Sequence, residues 1–321
     1  MLAIVCPGQG SQTPGFLAPW LDLPGLRERA DGLSAAAGVD LVAHGTESDA
    51  DTIRDTAVAQ PLIVGAGLLT LDALFADQPM TLAGTTGVTA GHSVGEITAV
   101  AAAGVLSPED ALALVRVRGT AMADASAVTP TGMSAVLGGD PQEVLDALAR
   151  HGLTPANVNG AGQVVAAGTL EQLAAFAEEP PARARVVPLQ VAGAFHTEHM
   201  WPAVEAMRQQ AAGLAPADPS VILLSNADGE PVASGADAVT RLVSQVSNPV
   251  RWDLCMEAMT RLGVTGLLEL APAGTLVGLA KRAMKGVELL ALKTPDDLDA
   301  ARTLIGRHTA DHDTQETQEA R

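Results

Sequence analysis

Along the first hundred residues, short apolar runs alternate with stretches whose apolar side chains recur every three or four positions. A short run bounded by turn residues fits a buried strand, and the longer spacing fits the inward stripe of a helix. Residues 2–6, LAIVC, form such a run and stop at Pro7-Gly8. Residues 58–75 carry the helical spacing, with Pro61 expected in the first turn, where a missing N–H is tolerated. Residues 87–90 predict a second strand and 96–105 an Ala-rich helix. A further helix over 108–121 is entered through Ser107, with Glu109 and Asp110 where the helix dipole favours acids. Strands alternating with helices predict an α/β domain around a parallel sheet.

The rhythm changes after residue 130. Strand signals at 133–137, 154–158, 163–167 and 185–189 enclose helical signals at 141–151 and 170–178, with Asn159-Gly160-Ala161-Gly162 as the turn between the middle strands. That β-α-β-β-α-β order predicts a split βαβ unit of roughly 60 residues inserted into the larger domain. The parent pattern then resumes, with helices at 202–212, 236–246 and up to 262, and strands at 221–225 and 266–270. A turn is expected at 248–252 and a last helix at 275–283. Residues 307–321 offer no apolar side chain larger than Ala and predict a disordered tail.

Composition narrows the function. The chain is 47% hydrophobic but has only four Phe, three Trp and no Tyr, so its core is aliphatic and it lacks aromatics for stacking bases. A net charge of −18 repels phosphate backbones and anionic lipid. Cys6 and Cys255 are too few for a disulfide framework or a zinc site. The opening MLAIVCPGQG lacks a basic leader, and the uninterrupted apolar runs at 62–69 and 99–106 fall short of the roughly 20 residues that cross a bilayer. The expectation is a cytoplasmic protein with no metal, nucleic-acid or membrane partner.

Gly91-His92-Ser93-Val94-Gly95 fits GxSxG, a strand-to-helix elbow that exposes a serine nucleophile. Small end residues let neighbouring backbone approach, and the following helix would aim N–H groups at a reacting oxygen. In a chain with 32 Gly, an ordinary glycine-flanked turn is the competing reading. A serine needs a base. His308 and His312 fall in the expected tail, His44 in a charged loop and His151 at a helix end, while His92 adjoins the serine itself. Ala194-Phe195-His196-Thr197-Glu198-His199 follows the last inserted strand. There His196, among small and apolar neighbours, is the better base, and His199 is expected on the outer side of a helix start. A metal pair at His196 and His199 has no evident third ligand.

Five segments in order resemble the malonyl-CoA:acyl carrier protein transacylases of fatty-acid and polyketide synthesis. They are Pro7-Gly8-Gln9-Gly10-Ser11-Gln12, Gly91-His92-Ser93-Val94-Gly95-Glu96, Arg118-Gly119 with Met122, Gly193-Ala194-Phe195-His196, and Asn248-Pro249-Val250-Arg251-Trp252. The resemblance spans residues 3 to 305. It implies an α/β-hydrolase-like parallel-sheet core, residues 1–124 and 193–306, with a ferredoxin-like βαββαβ subdomain at 125–192. It implies an acyltransferase in which Ser93 takes malonyl from malonyl-CoA as an ester and passes it to the phosphopantetheine thiol of acyl carrier protein. His196 would be general base and acid, oriented by the backbone carbonyl of Gln245, and the N–H groups of Val94 and Gln9 would form the oxyanion hole.

By the same resemblance, Arg118 would hold the malonyl carboxylate through its guanidinium fork, although an arginine on a helix is more often a solvated charge. Phe195 and Val94 would disfavour an α-methyl branch. His92, Met122, Asn157 and Asn159 would line the substrate cleft, though loop asparagines more often form turns. The resemblance implies a monomer without a cofactor, working on malonyl-CoA and acyl carrier protein. Carrier proteins are acidic, so a basic patch of Lys281, Arg282 and Lys285, with Arg116 and Arg251 nearby, is a candidate contact; plain solvated charges are the alternative. Cys6 and Ala271-Pro272-Ala273-Gly274 depart from common family residues, and Cys6 reads as a small buried hydrophobe. The rivals are an esterase, which would need a late histidine, a non-catalytic docking domain, and a domain of a larger synthase; the short tail favours a discrete enzyme.

Overall fold

A computed structural model describes residues 1–76, 78 and 81–319 of the chain, those from 310 onward by backbone alone. Its strands are β1 (Leu2–Cys6), β2 (Val88–Gly91), β3 (Thr131–Gly138), β4 (Thr154–Gly160), β5 (Gln163–Thr169), β6 (Ala184–Pro188), β7 (Ile222–Leu223), β8 (Val250–Arg251), β9 (Gly266–Glu269) and β10 (Glu288–Ala291). One sheet is wholly parallel, in the order β10-β9-β1-β2-β7. Its central strand is buried on both faces, as a sheet covered by helices requires. Leu2, Ile4 and Cys6 of β1 enter one core cluster and Ala3 and Val5 the other.

The second sheet runs β6-β3-β5-β4-β8. Its first four strands are antiparallel and, with helices Pro141–Arg150 and Leu170–Glu178, make the ferredoxin-like subdomain. Alternation again separates the faces. Val136, Ala166 and Phe176 build the subdomain's own core, while Met133, Val165 and Ala167 join the main one. The segment expected as a plain turn at 248–252 instead supplies β8, which pairs parallel with β4 at Asn157 and Val158 and ties the subdomain to the parent domain. The helix Pro108–Ser126 runs through the expected boundary at 124.

The helix Thr56–Phe75 starts earlier than the pattern suggested, because Asp55 caps it by accepting from the Ala57 N–H. Pro61 therefore lies inside the helix rather than in its first turn. This helix is long and apolar enough to cross a bilayer, but most of it is buried, which accounts for its composition. Edge strand β10 and helices Ala18–Leu21, Leu26–Ala37 and Leu41–Thr46 add to the expected elements, and the strand at 221–225 shortens to β7.

The expected disordered tail is corrected over most of its length. A helix runs Leu298–Glu319, and residues 320 and 321 lie outside the described residues. Ala301, Leu304 and Ile305 are buried, and His308 continues their stripe at 8% exposure. The His308 ring bonds Thr265 Oγ1 through Nδ1 at 2.8 Å and Glu288 Oε2 through Nε2 at 3.1 Å. Gly266 leaves room for that ring, since a Cβ there would lie 2.4 Å from it.

Candidate active site

Ser93 sits between β2 and the helix Gly95–Ala102, with φ +53°, a conformation that costs a non-glycine residue on the order of 1–3 kcal/mol. The flanking glycines explain how the elbow closes. A Cβ on Gly91 would fall 2.0 Å from the Gly95 carbonyl carbon, and one on Gly95 would fall 2.2 Å from the Cys6 carbonyl oxygen. Asn226, just after β7 and fully buried, holds the turn. Its Oδ1 accepts from the Ser93 N–H at 2.8 Å and its Nδ2 donates to the Gly91 carbonyl at 2.7 Å.

His196 lies in the segment following β6, also at positive φ (+61°) and 3% exposed. Gly193 lets this segment cross the helix Pro108–Ser126, for a Cβ there would meet Ser126 Oγ at 2.5 Å. His196 Nε2 is 2.7 Å from Ser93 Oγ, and Nδ1 is 2.8 Å from the backbone carbonyl of Gln245. A carbonyl only accepts, so Nδ1 carries the proton and Nε2 presents its lone pair to the serine hydroxyl. Burial, and then the nearby Arg118 charge, push the His196 pKa down to about 3, so the imidazole is a free base at neutral pH.

Arg118 is buried in the middle of the helix Pro108–Ser126. Its neighbour Gly119 lets that helix lie against Thr56–Phe75, since a Cβ would sit 3.0 Å from the Thr56 carbonyl oxygen. Arg118 Nη1 donates to Gln60 Oε1 at 2.6 Å, and Nη2 donates to Gln245 Oε1 at 2.8 Å and to Ser93 Oγ at 3.3 Å. All three acceptors are neutral, and among the described residues Nε has no partner. Burial lowers the Arg118 pKa to about 10, partly offset by the Glu96 charge, so the guanidinium stays charged. A buried cation with neutral partners and a free N–H beside a serine is suited to an incoming carboxylate.

The remaining expected residues divide. Gln9, just after β1, turns its side chain towards Arg54 and Thr56, and its backbone N–H, like that of Val94, donates to none of the described residues. The His92 Nε2 donates to Asn159 Oδ1 at 2.8 Å, and its ring meets Trp252 edge-on at 5.8 Å, so it clamps the elbow to β4. Asn157 and Asn159 are strand residues of β4, not turn formers; Asn157 Oδ1 is buried without a partner among the described residues. Met122 is as buried as Arg118, at 1% exposed, and its sulfur accepts from Gln60 Nε2 at 3.5 Å, so the two share Gln60. Phe195 and Val94 are packed in the main core. Cys6 is fully buried in β1, as expected, and burial raises its pKa.

His199 falls in the single turn Glu198–Met200, and no metal-binding cluster occurs among the described residues. Arg282 Nη2 donates to Gln163 Oε1 at 3.1 Å, placing the exposed Lys281-Arg282 pair beside the subdomain hairpin. Arg251 is paired with Asp253 at 2.8 Å, and Arg116 lies against Gly38 at the end of Leu26–Ala37. Three site residues had no assigned role in the sequence: Gln60, Asn226 and Glu96. Glu96 stood within the serine motif, but isolated Gln and Asn residues give no local signal.

The acyl transferase domain family matches residues 3–320. The malonyl CoA-acyl carrier protein transacylase of Mycobacterium tuberculosis (strain ATCC 25618 / H37Rv) is 54% identical over 304 residues, covering 95% of this chain and all of that protein. The crystal structure of MCAT from Mycobacterium tuberculosis superposes with a TM-score of 0.88 at 52% identity, over 94% of this chain and 99% of that one. A malonyl-transacylase solved in complex with its type II polyketide synthase acyl-carrier protein gives a TM-score of 0.86 at 29% identity, over 94% and 99% of the two chains.

Proposed function

The chain belongs to the acyl transferase domain family, and from that premise we propose that it moves malonyl from malonyl-CoA to the phosphopantetheine thiol of acyl carrier protein through an ester on Ser93. The observation that carries this reading is the meeting of Ser93, a neutral His196 and a buried Arg118 whose acceptors are all uncharged.

In the first half-reaction Ser93 Oγ attacks the thioester carbonyl while its proton passes to His196 Nε2. The Gln245 carbonyl, holding Nδ1–H, supports the imidazolium that forms. The developing oxyanion is met by the N–H of Val94, at the start of the helix Gly95–Ala102, and by that of Gln9, in the loop after β1. Collapse breaks the C–S bond, and His196 returns the proton to the departing thiolate. The carrier thiol then enters by the reverse sequence, giving its proton to His196 as it displaces Ser93. Arg118 orients the acyl group by its distal carboxylate, which acetyl lacks.

The same reading makes the protein a cytoplasmic monomer that needs no metal or cofactor and binds neither nucleic acid nor membrane, in keeping with its charge of −18. Its carrier serves fatty-acid or polyketide synthesis. Intact-protein mass spectrometry after brief incubation with malonyl-CoA tests the core of the proposal. A malonyl adduct is expected on the wild type and none on Ser93→Ala, with a weaker one on Arg118→Ala as acetyl loading rises. In competition, malonyl should load ahead of methylmalonyl. An equal adduct on all three proteins would sink the proposal.

A further inference from the structure

We infer that Glu96 is a positioning residue for malonyl recognition, acting on Arg118 through the side-chain amide of Gln245; this rests on the reading of Arg118 as the carboxylate's partner. Gln245 is the last residue of the helix Gly235–Gln245 and has two separate tasks. Its backbone carbonyl orients His196, and its side-chain Oε1 accepts from Arg118 Nη2 at 2.8 Å. An amide presents nearly the same shape with oxygen and nitrogen exchanged, so shape alone does not decide which end faces the guanidinium.

The polar surroundings decide it. Gln245 Nε2 lies against three oxygens: the Ser93 carbonyl at 3.0 Å, Asn226 Oδ1 at 3.2 Å and Glu96 Oε2. The Asn226 oxygen is itself fixed, because it accepts from the Ser93 N–H while Nδ2 serves the Gly91 carbonyl. Glu96 is 3% exposed, and its other oxygen accepts from the Asn226 N–H at 3.0 Å. A turned-over Gln245 would press its carbonyl against these acceptors and its NH2 against a guanidinium. Glu96 supplies the acidic acceptor in this set and reaches Arg118 by no direct hydrogen bond, so beyond the attraction of its charge its hold on the position of the guanidinium runs through the amide.

Glu96→Gln tests this with little change in size. The new side chain must keep its oxygen on the Asn226 N–H, which points its NH2 at Gln245 Nε2, donor against donor. Gln245 Nε2 then faces a donor where it had an acceptor, and the amide moves and loosens its hold on Arg118. Loading of Ser93 is to be timed with malonyl-CoA and with acetyl-CoA in the wild type, Glu96→Gln, Gln245→Met and the double variant, each checked for folding by circular dichroism. Gln245→Met removes the amide and keeps the backbone carbonyl. The malonyl-to-acetyl ratio of kcat/KM should fall about tenfold in each single variant, the scale of one hydrogen bond to a charged group. It should fall no further in the double variant.

Equal losses for both acyl groups, an unchanged ratio, or effects that multiply in the double variant would overturn the inference. Should Glu96→Gln fail to fold, Gln245→Met decides alone, and an unchanged ratio there overturns it. Failure of the underlying reading looks different: wild type that takes no malonyl on Ser93, or Arg118→Ala that keeps the malonyl preference.

Discussion

Asn226 holds both ends of the turn around Ser93, yet it belongs to none of the motifs. Replacing it with the similarly sized Leu leaves the Ser93 N–H and the Gly91 carbonyl buried and unpaired. Asn226→Leu is expected to lose about 2–4 kcal/mol in urea unfolding, since each such group costs about 1–3 kcal/mol, and to load malonyl at least about tenfold more slowly. His196 gives a pH signature. Unfolded, its imidazole takes up a proton below its ordinary 6.5; folded, it stays neutral down to about 3, so it removes stability as pH falls through that window. Glu96 acts in the opposite sense. Burial raises its pKa from 4.5 to about 7, so the unfolded carboxyl ionises first and stability falls as pH rises through that range. The two slopes oppose each other between 4.5 and 6.5, and only His196 acts below. His196→Gln, which cannot protonate, should therefore gain about 2 kcal/mol relative to wild type between pH 6 and 4.5, read from urea midpoints with constant m-values. A difference that does not change with pH would rule out a buried neutral imidazole.

Elements carry the positions of these side chains through close backbone approaches. β2, the Ser93 turn and the helix Gly95–Ala102 fit together only because Gly95 touches the Cys6 carbonyl and Gly91 touches Gly95. Gly95→Ala should accordingly cost about 3 kcal/mol or more and abolish loading, because fixed backbone rather than a mobile side chain must yield; near wild-type thermal unfolding would refute that account. The elbow was legible in sequence because strand, GxSxG and helix are contiguous. Helix Pro108–Ser126 was legible too, from Ser107, whose Oγ accepts from the Asp110 N–H at 3.0 Å. β8 was not, because a two-residue strand draws its pairing from β4, nearly a hundred positions away in the chain. His308 was missed for a similar reason. A histidine among polar residues looks solvated until β9 and β10 place Thr265 and Glu288 beside it.

Across the whole molecule, a charge of −18 should repel an acidic carrier protein, so docking must rely on local charge. The exposed Lys281 and Arg282, the latter bonded to Gln163 of the subdomain, are the proposed contact. Lys281→Glu with Arg282→Glu should raise the KM for carrier protein about tenfold at low salt, leave malonyl-CoA loading unchanged, and weaken the salt dependence of transfer; unchanged transfer kinetics would remove the patch from consideration. By itself the sequence determined the α/β class and the inserted βαββαβ unit and marked the serine elbow, because these depend on local periodicity, turn chemistry and motifs contiguous along the chain; His196 was its candidate base, and only the fold brings that ring to 2.7 Å from Ser93 Oγ. Whether Arg118 was a solvated charge or a buried cation was left to the resemblance. Only the tertiary structure decided that it is buried, that its partners are Gln60 and Gln245, and that Asn226 and Glu96 hold those partners in place. A buried amide has no signature of its own in sequence; its role is set by which donors and acceptors the fold brings within about 3 Å.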